Sequence, residues 1–95
     1  MKVLALEIEK QGITSKNFSP FLKEEAAKVW ELQQKDSIRE IYFNAATHCA
    51  IIILETSSQS SAEEILAQLP LVREGLITFD LIPLMPYDGY ARLFK

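Results

Sequence analysis

An α+β fold is predicted for this chain, a four-stranded antiparallel sheet with two helices on one of its faces, and three observations predict it. Two-residue alternation marks Lys2–Glu9 and the stretch from Leu76 to Pro83, near the two ends of the chain. Two β-rich runs separated by a short polar connection occupy the middle. Apolar residues at helical spacing fill the two intervals between. The order is strand, helix, strand, strand, helix, strand, which is the split βαβ plan. All 95 residues form one domain. A chain of this size buries only about 60–65% of its unfolded surface, so association of copies would add to a modest core.

The first strand carries Leu4, Leu6 and Ile8 on one face and Val3, Ala5, Glu7 and Glu9 on the other, and Gln11-Gly12 ends it. Ser19 followed by Pro20 reads as a cap hydroxyl before a proline at the first helical position. The helix then runs to about Lys35 on a stripe of Leu22, Ala26, Val29 and Trp30, with Phe18 and Phe21 near its start. Ile38 to Phe43 and Ala50 to Glu55 form a hairpin joined by Asn44 to His48. Ser60 or Ser61, with Glu63 or Glu64 three residues on, forms a capping box for a short helix reaching Leu69. A helix stop near Pro70 and a turn through Arg73-Glu74-Gly75 lead into the last strand. There Ile77, Phe79 and Leu81 alternate with Thr78, Asp80 and Ile82. The tail, residues 85–95, holds Pro86, Asp88-Gly89 and the aromatics Tyr87, Tyr90 and Phe94, and reads as an ordered segment at a subunit interface.

Composition excludes several function classes. The net charge is −3, and Lys and Arg are scattered, so no nucleic-acid face is expected. The longest apolar run, Ala50 to Leu54, is far too short to span a bilayer, and a cytoplasmic protein is expected. One cysteine, Cys49, and one histidine, His48, fit neither an internal disulfide nor a Cys/His zinc set, so no metal is expected. The three glycines lie far apart and form no phosphate loop, and no cofactor is called for.

In the third strand Ile51 and Ile53 point one way while Ala50, Ile52 and Leu54 point the other, so both faces read as buried although the chain has helices for only one. The simplest cover for the second face is the same face of a second copy. The expected object is a homodimer or higher homo-oligomer whose two sheets enclose a lumen. By strand periodicity Glu40 and Tyr42 share a face with Ile38, opposite Ile41 and Phe43. Glu7, Glu40, Tyr42 and Asp80 are expected to converge on that lumen among Val3, Ala5, Ile52, Leu54 and Ile82.

The helix segment Leu22-Lys23-Glu24-Glu25-Ala26, the strand opening Ile38-Arg39-Glu40-Ile41-Tyr42, the turn ending His48-Cys49-Ala50, and Gln68-Leu69-Pro70-Leu71 leading to Leu84 resemble the muconolactone isomerase family, from about Leu22 to Pro86. The resemblance implies a ferredoxin-like βαββαβ subunit pairing into a dimeric α+β barrel, and cofactor-free proton transfer on an unsaturated lactone. It implies a substrate-contact role for His48, and for Lys23 the holding of an anionic substrate at the barrel mouth. Glu40 stands at a strand position where the family carries a histidine.

A carboxyl in an apolar lumen is pushed toward neutrality, which suits a proton shuttle. The candidate catalytic residues are therefore Glu40 as shuttle, Tyr42 orienting a carbonyl, and His48; the candidate substrate-binding residues are Lys23, Glu7 and Asp80. Competing roles are an ion pair of Glu40 with a partner cation, an interfacial Tyr42, rim positions for Glu7 and Asp80, a turn histidine and a solvated Lys23. Cys49 reads as a small buried hydrophobe and Trp30 as core or subunit contact. The leading function is a cofactor-independent isomerase acting on a small, oxygenated, anionic unsaturated compound. The alternatives are a non-catalytic oligomeric module binding a small ligand or a protein, and a cofactorless monooxygenase. A haem-dependent barrel is disfavoured by a lone turn histidine. A free, perturbed Glu40 would favour the enzyme and a paired one the binding module.

Overall fold

The computed structural model describes residues 1–94; Lys95, the last residue of the predicted tail, lies outside them. The alternating first segment forms β1 (Lys2–Glu9), the hairpin forms β2 (Ile38–Phe43) and β3 (Ala50–Glu55), and the last run forms β4 (Ile77–Leu84). They assemble in the order β2-β3-β1-β4, with every pairing antiparallel. Pro83 falls inside β4 instead of ending it. That position is tolerated because β4 is an edge strand, where a missing N–H breaks no outer ladder.

Helices cover one face of this sheet. The segment after β1, expected as a polar loop, is a short helix α1 (Ser15–Phe18) capped by Thr14, whose side chain accepts from the Lys16 N–H while Asn17 accepts from the Thr14 N–H at 2.8 Å. Ser19 is thus not the cap. Together with Pro20 it belongs to a 3₁₀ turn (Ser19–Phe21) leading into α2 (Leu22–Gln34). The third helix, α3 (Gln59–Leu66), is capped by Ser58, not Ser60 or Ser61, through acceptance of the Ser61 N–H at 3.0 Å. Pro70 does not stop a helix but opens one, α4 (Pro70–Arg73), at the position where a proline lacks nothing. Gly75 ends α4 with φ +74°, a left-handed conformation that a side chain would strain.

The core lies between sheet and helices. Val3, Ala5, Ile38, Ile52 and Leu54 from the strands meet Leu32 of α2, Ala62 and Leu66 of α3, and Leu69. Leu54 and Leu69 are wholly enclosed; each such leucine contributes about 1.5–3 kcal/mol of transfer free energy. Small side chains at positions 3 and 5 let the helices approach β1 closely. This corrects the expected face of five residues: Val3, Ala5, Glu7, Ile52 and Leu54 point to the helices and not to the open face. The pairs Val3–Leu54, Ala5–Ile52 and Glu7–Phe79 fix that side of the sheet.

The open face is made by Leu4, Leu6 and Ile8 with Ile51, Ile53, Ile82 and Leu84. The more apolar side of β1 is therefore the one the chain leaves without helices. In β2 the register slips between Ile38 and Glu40, so Ile38 pairs with Leu54 but Glu40 pairs with Ile53. The bulge puts Ile38 on the helix side with Ile41 and Phe43, and Glu40 and Tyr42 on the open side. Simple two-residue counting had joined Ile38 to Glu40. Trp30, expected in the core or at a subunit contact, is 66% exposed on the outside of α2. Gly89–Phe94 form a terminal 3₁₀ segment whose Tyr90 ring meets the ring of Tyr87, which precedes the segment, edge to face at 4.9 Å; a Cβ on Gly89 would collide with the Tyr87 ring.

Candidate active site

Between α2 and the sheet lies an open cavity of about 670 Å³, the size of a small-molecule site. Its walls are apolar, with Leu22, Ala26 and Val29 from α2, Ile41 and Ile52 from the sheet, and Phe79 of β4. Ile13, Thr14 and Phe18, from the segment leading into α2, form part of its edge. The hairpin turn contributes His48, whose φ of +62° is held by its own N–H donating to the Asn44 carbonyl at 2.7 Å. Its imidazole stacks on Phe43 at 4.0 Å between ring centroids.

Glu7, Glu9 and Glu25 line this apolar space, and two of them are half-buried. Glu7, half-buried on β1, accepts the Ala50 N–H at 2.8 Å, and Glu25, half-buried on α2, accepts the Leu71 N–H at 2.9 Å. Each contact anchors one carboxyl oxygen; the second oxygen of each makes no hydrogen bond among the described residues. Burial raises the Glu7 carboxyl above its ordinary value, the Ala50 N–H opposes this, the Glu9 charge adds to it and His48 opposes it. Burial likewise raises Glu25; the Leu71 N–H lowers it, the Glu7 charge raises it, Arg73 lowers it and Glu24 raises it. Two carboxyls each held at one oxygen and each raised by burial are candidate general bases or acids in one cavity.

Glu7, Glu9 and Cys49 also bring an oxygen of each carboxylate and the sulfur within 4.8 Å of one another, the one grouping of three such donor atoms among the described residues. One Glu7 oxygen there is already engaged by a backbone N–H.

The sequence-predicted residues divide between two faces. Glu7 and His48 line the cavity, and Tyr42 borders it. Glu40 is exposed on the open face and accepts the Tyr42 hydroxyl at 2.6 Å, which raises the tyrosine. Glu40 thus has one oxygen held by Tyr42 and no cationic partner among the described residues. Asp80 is exposed on β4, at the opposite edge of the sheet from Glu40 and Tyr42. With three strand spacings of about 4.8 Å between β2 and β4, these groups do not converge within one subunit. Lys23 is exposed on α2 and is not among the cavity residues. Glu25 was missed, although the sequence carries a signal for it. It is three residues after Leu22 and four before Val29, so it is a carboxylate set on the inward stripe of α2.

No protein-family profile matches the chain. No curated protein matches it either. Among solved structures it is similar to muconolactone isomerase, with a TM-score of 0.74 at 15% identity over 94% of this chain and 93% of that one. It is also similar to 5-chloro-2-hydroxyhydroquinone dehydrochlorinase from Burkholderia phenoliruptrix AC1100 in complex with 2,5-dihydroxybenzoquinone, with a TM-score of 0.71 at 14% identity over 94% and 98%. The four-stranded sheet order and the helices on one face are thus those of the ferredoxin-like α+β fold of muconolactone isomerase, and the chain shares that fold over nearly its whole length.

Proposed function

We propose that this protein is a cofactor-independent enzyme of the muconolactone isomerase type that moves a proton on a small, unsaturated, oxygenated compound, and that it works as a homodimer or higher homo-oligomer. One observation carries the reading: Glu7 and Glu25 share an apolar cavity, each with one oxygen tied to a backbone N–H and each raised by burial. In the reaction, the ionised carboxylate takes a proton from a carbon next to a carbonyl, and the bonding pair spreads into the conjugated system. The other carboxyl, still protonated, donates a hydrogen bond to the carbonyl oxygen where charge gathers. The proton then returns at a different carbon, so atoms and electrons balance within the substrate and no oxidant is needed. The backbone contacts to Ala50 and Leu71 fix one oxygen of each carboxyl, which limits the orientations the second oxygen can take.

The test is deuterium incorporation and double-bond migration in a panel of butenolides and enol lactones. Glu7→Gln and Glu25→Gln are each expected to lower the rate by about 100-fold or more, the usual scale for general acid–base groups, while Glu40→Gln leaves it within a few-fold. Exchange lost with Glu40→Gln and retained in the other two would return the chemistry to the open face. The homo-oligomer is supported by the open sheet face, whose Leu4, Leu6, Ile51 and Ile53 have no cover in one chain. The exposed tail residues Met85, Tyr87, Leu93 and Phe94 support a second contact at a subunit interface. No helix among the described residues is long and apolar enough to cross a membrane.

A further inference from the structure

The charged groups of the cavity are all of one kind apart from the histidine at its mouth. Glu7, Glu9 and Glu25 line it, and no lysine or arginine does. Two basic residues of the adjoining helices are committed elsewhere: Arg73 pairs with Glu24 at 2.9 Å and Glu74 at 3.2 Å, and Lys28 pairs with Glu31 at 2.6 Å. His48, the remaining basic group of the wall, is exposed and stacked on Phe43. A carboxylate-bearing ligand would therefore bring its charge beside like charges against apolar walls, with no lysine or arginine in the lining to receive it. With one of the two carboxyls ionised and so an acceptor only, a ligand that fits must carry at least one hydrogen-bond donor. Aromatic side chains such as Phe79 supply flat apolar contact for a planar ring.

We infer that the cavity selects an uncharged, planar, hydroxylated molecule of the dihydric phenol or enol class, one hydroxyl donating to the ionised carboxylate of the Glu7 and Glu25 pair and another oxygen accepting from the protonated one, and that it rejects the carboxylated analogue. This rests on the reading of the cavity as the active site, and it departs from the anionic substrate that Lys23 suggested. The step that supplies such a molecule must leave a ring or enone bearing free hydroxyl groups and no carboxylate.

The experiment is an NMR titration of the ¹⁵N-labelled protein at neutral pH with resorcinol and, separately, with 3,5-dihydroxybenzoate, following the backbone amides of Ala50 and Leu71 that donate to the two carboxylates. Resorcinol is expected to shift both amides and to bind at least about ten-fold more tightly than the benzoate, about 1.4 kcal/mol. Glu25→Gln is expected to narrow that ratio by strengthening the benzoate. If the benzoate shifts the same amides at equal or lower concentration, the cavity remains a binding site and the uncharged class is wrong. If neither compound shifts them, the reading of the cavity as a binding site falls with it. A benzoate affinity unchanged in Glu25→Gln would also overturn the electrostatic exclusion, whatever the ratio in the wild type.

Discussion

Glu25 shows how much one misplaced polarity can say. A helix that covers a sheet needs an apolar inner stripe, and a carboxylate in that stripe loses hydration. Here the loss is partly offset by the Leu71 N–H, an orphan donor in the first turn of α4, so the residue also ties α2 to α4. The pH dependence follows. The unfolded carboxyl titrates near its ordinary value of 4.5 and the folded one above it. The folded chain thus holds the proton more tightly; its stability is greatest below the unfolded value and falls as the pH rises through the folded value. Glu25→Gln keeps an oxygen for the Leu71 N–H and carries no charge. Its stability relative to the wild type is therefore expected to improve between about pH 4 and about pH 8. Urea unfolding at both pH values checks this, and a difference that stays constant or moves the other way would refute the burial argument. Glu7→Gln is expected to follow the same sign, because burial is also the largest cause there.

Elements end in this chain by a shared device with unequal residues. After α4, Leu76 N–H donates to the Leu71 carbonyl and Gly75 N–H to that of Val72, both at 2.9 Å. After α2, Ser37 N–H donates to Leu32 and Asp36 N–H to Gln33, both at 3.0 Å, the same double closure. Its left-handed residue is glycine in one case and Asp36, with φ +63°, in the other. Gly75→Ala is expected to cost about 1 kcal/mol, from backbone strain alone because nothing crowds the added Cβ. Asp36→Gly is expected to stabilise by up to about 1 kcal/mol, and thermal unfolding would show the two midpoints moving apart by several degrees. Midpoints that move together would mean the left-handed positions are not what decides these ends. The glycine turn was legible in the sequence, as were all four strands and the two longer helices, because each rests on local period or punctuation. The cap at Thr14 was not, since a four-residue helix has too few residues to show a period. The bulge between Ile38 and Glu40 was hidden for another reason: alternation counts residues, and one unpaired residue reverses every face beyond it.

At the scale of the whole molecule, the same difficulty governed the site. Sequence alone ranked the two faces of β1 by apolarity and assigned Glu7 to the side with Val3 and Ala5, which was the correct grouping on the wrong side of the sheet. In a chain with both faces covered, the more apolar side need not be the one its own helices take. Small residues suit close helix packing, and Leu4, Leu6 and Ile8 are left on the face without helices. That argument makes the oligomer testable at one position. Leu6 lies on the central strand β1, opposite Ile51 on one side and Asp80 on the other, in the middle of the open face. If a second sheet packs there, Leu6→Glu buries an unpaired charge at the contact. The dissociation constant is then expected to rise by about 100-fold or more, on the order of 3 kcal/mol. In the separated subunit the same glutamate faces water, so the fold and its far-ultraviolet circular dichroism are expected to persist. Trp30→Ala, on the outer side of α2, serves as the control and is expected to leave the mass unchanged. Sedimentation velocity over a concentration series distinguishes the cases. A wild type that stays monomeric at every concentration would remove the need for a covered face. A mass that falls with Trp30→Ala but not with Leu6→Glu would place the contact on the helices, leaving Leu4, Leu6 and Ile51 in water.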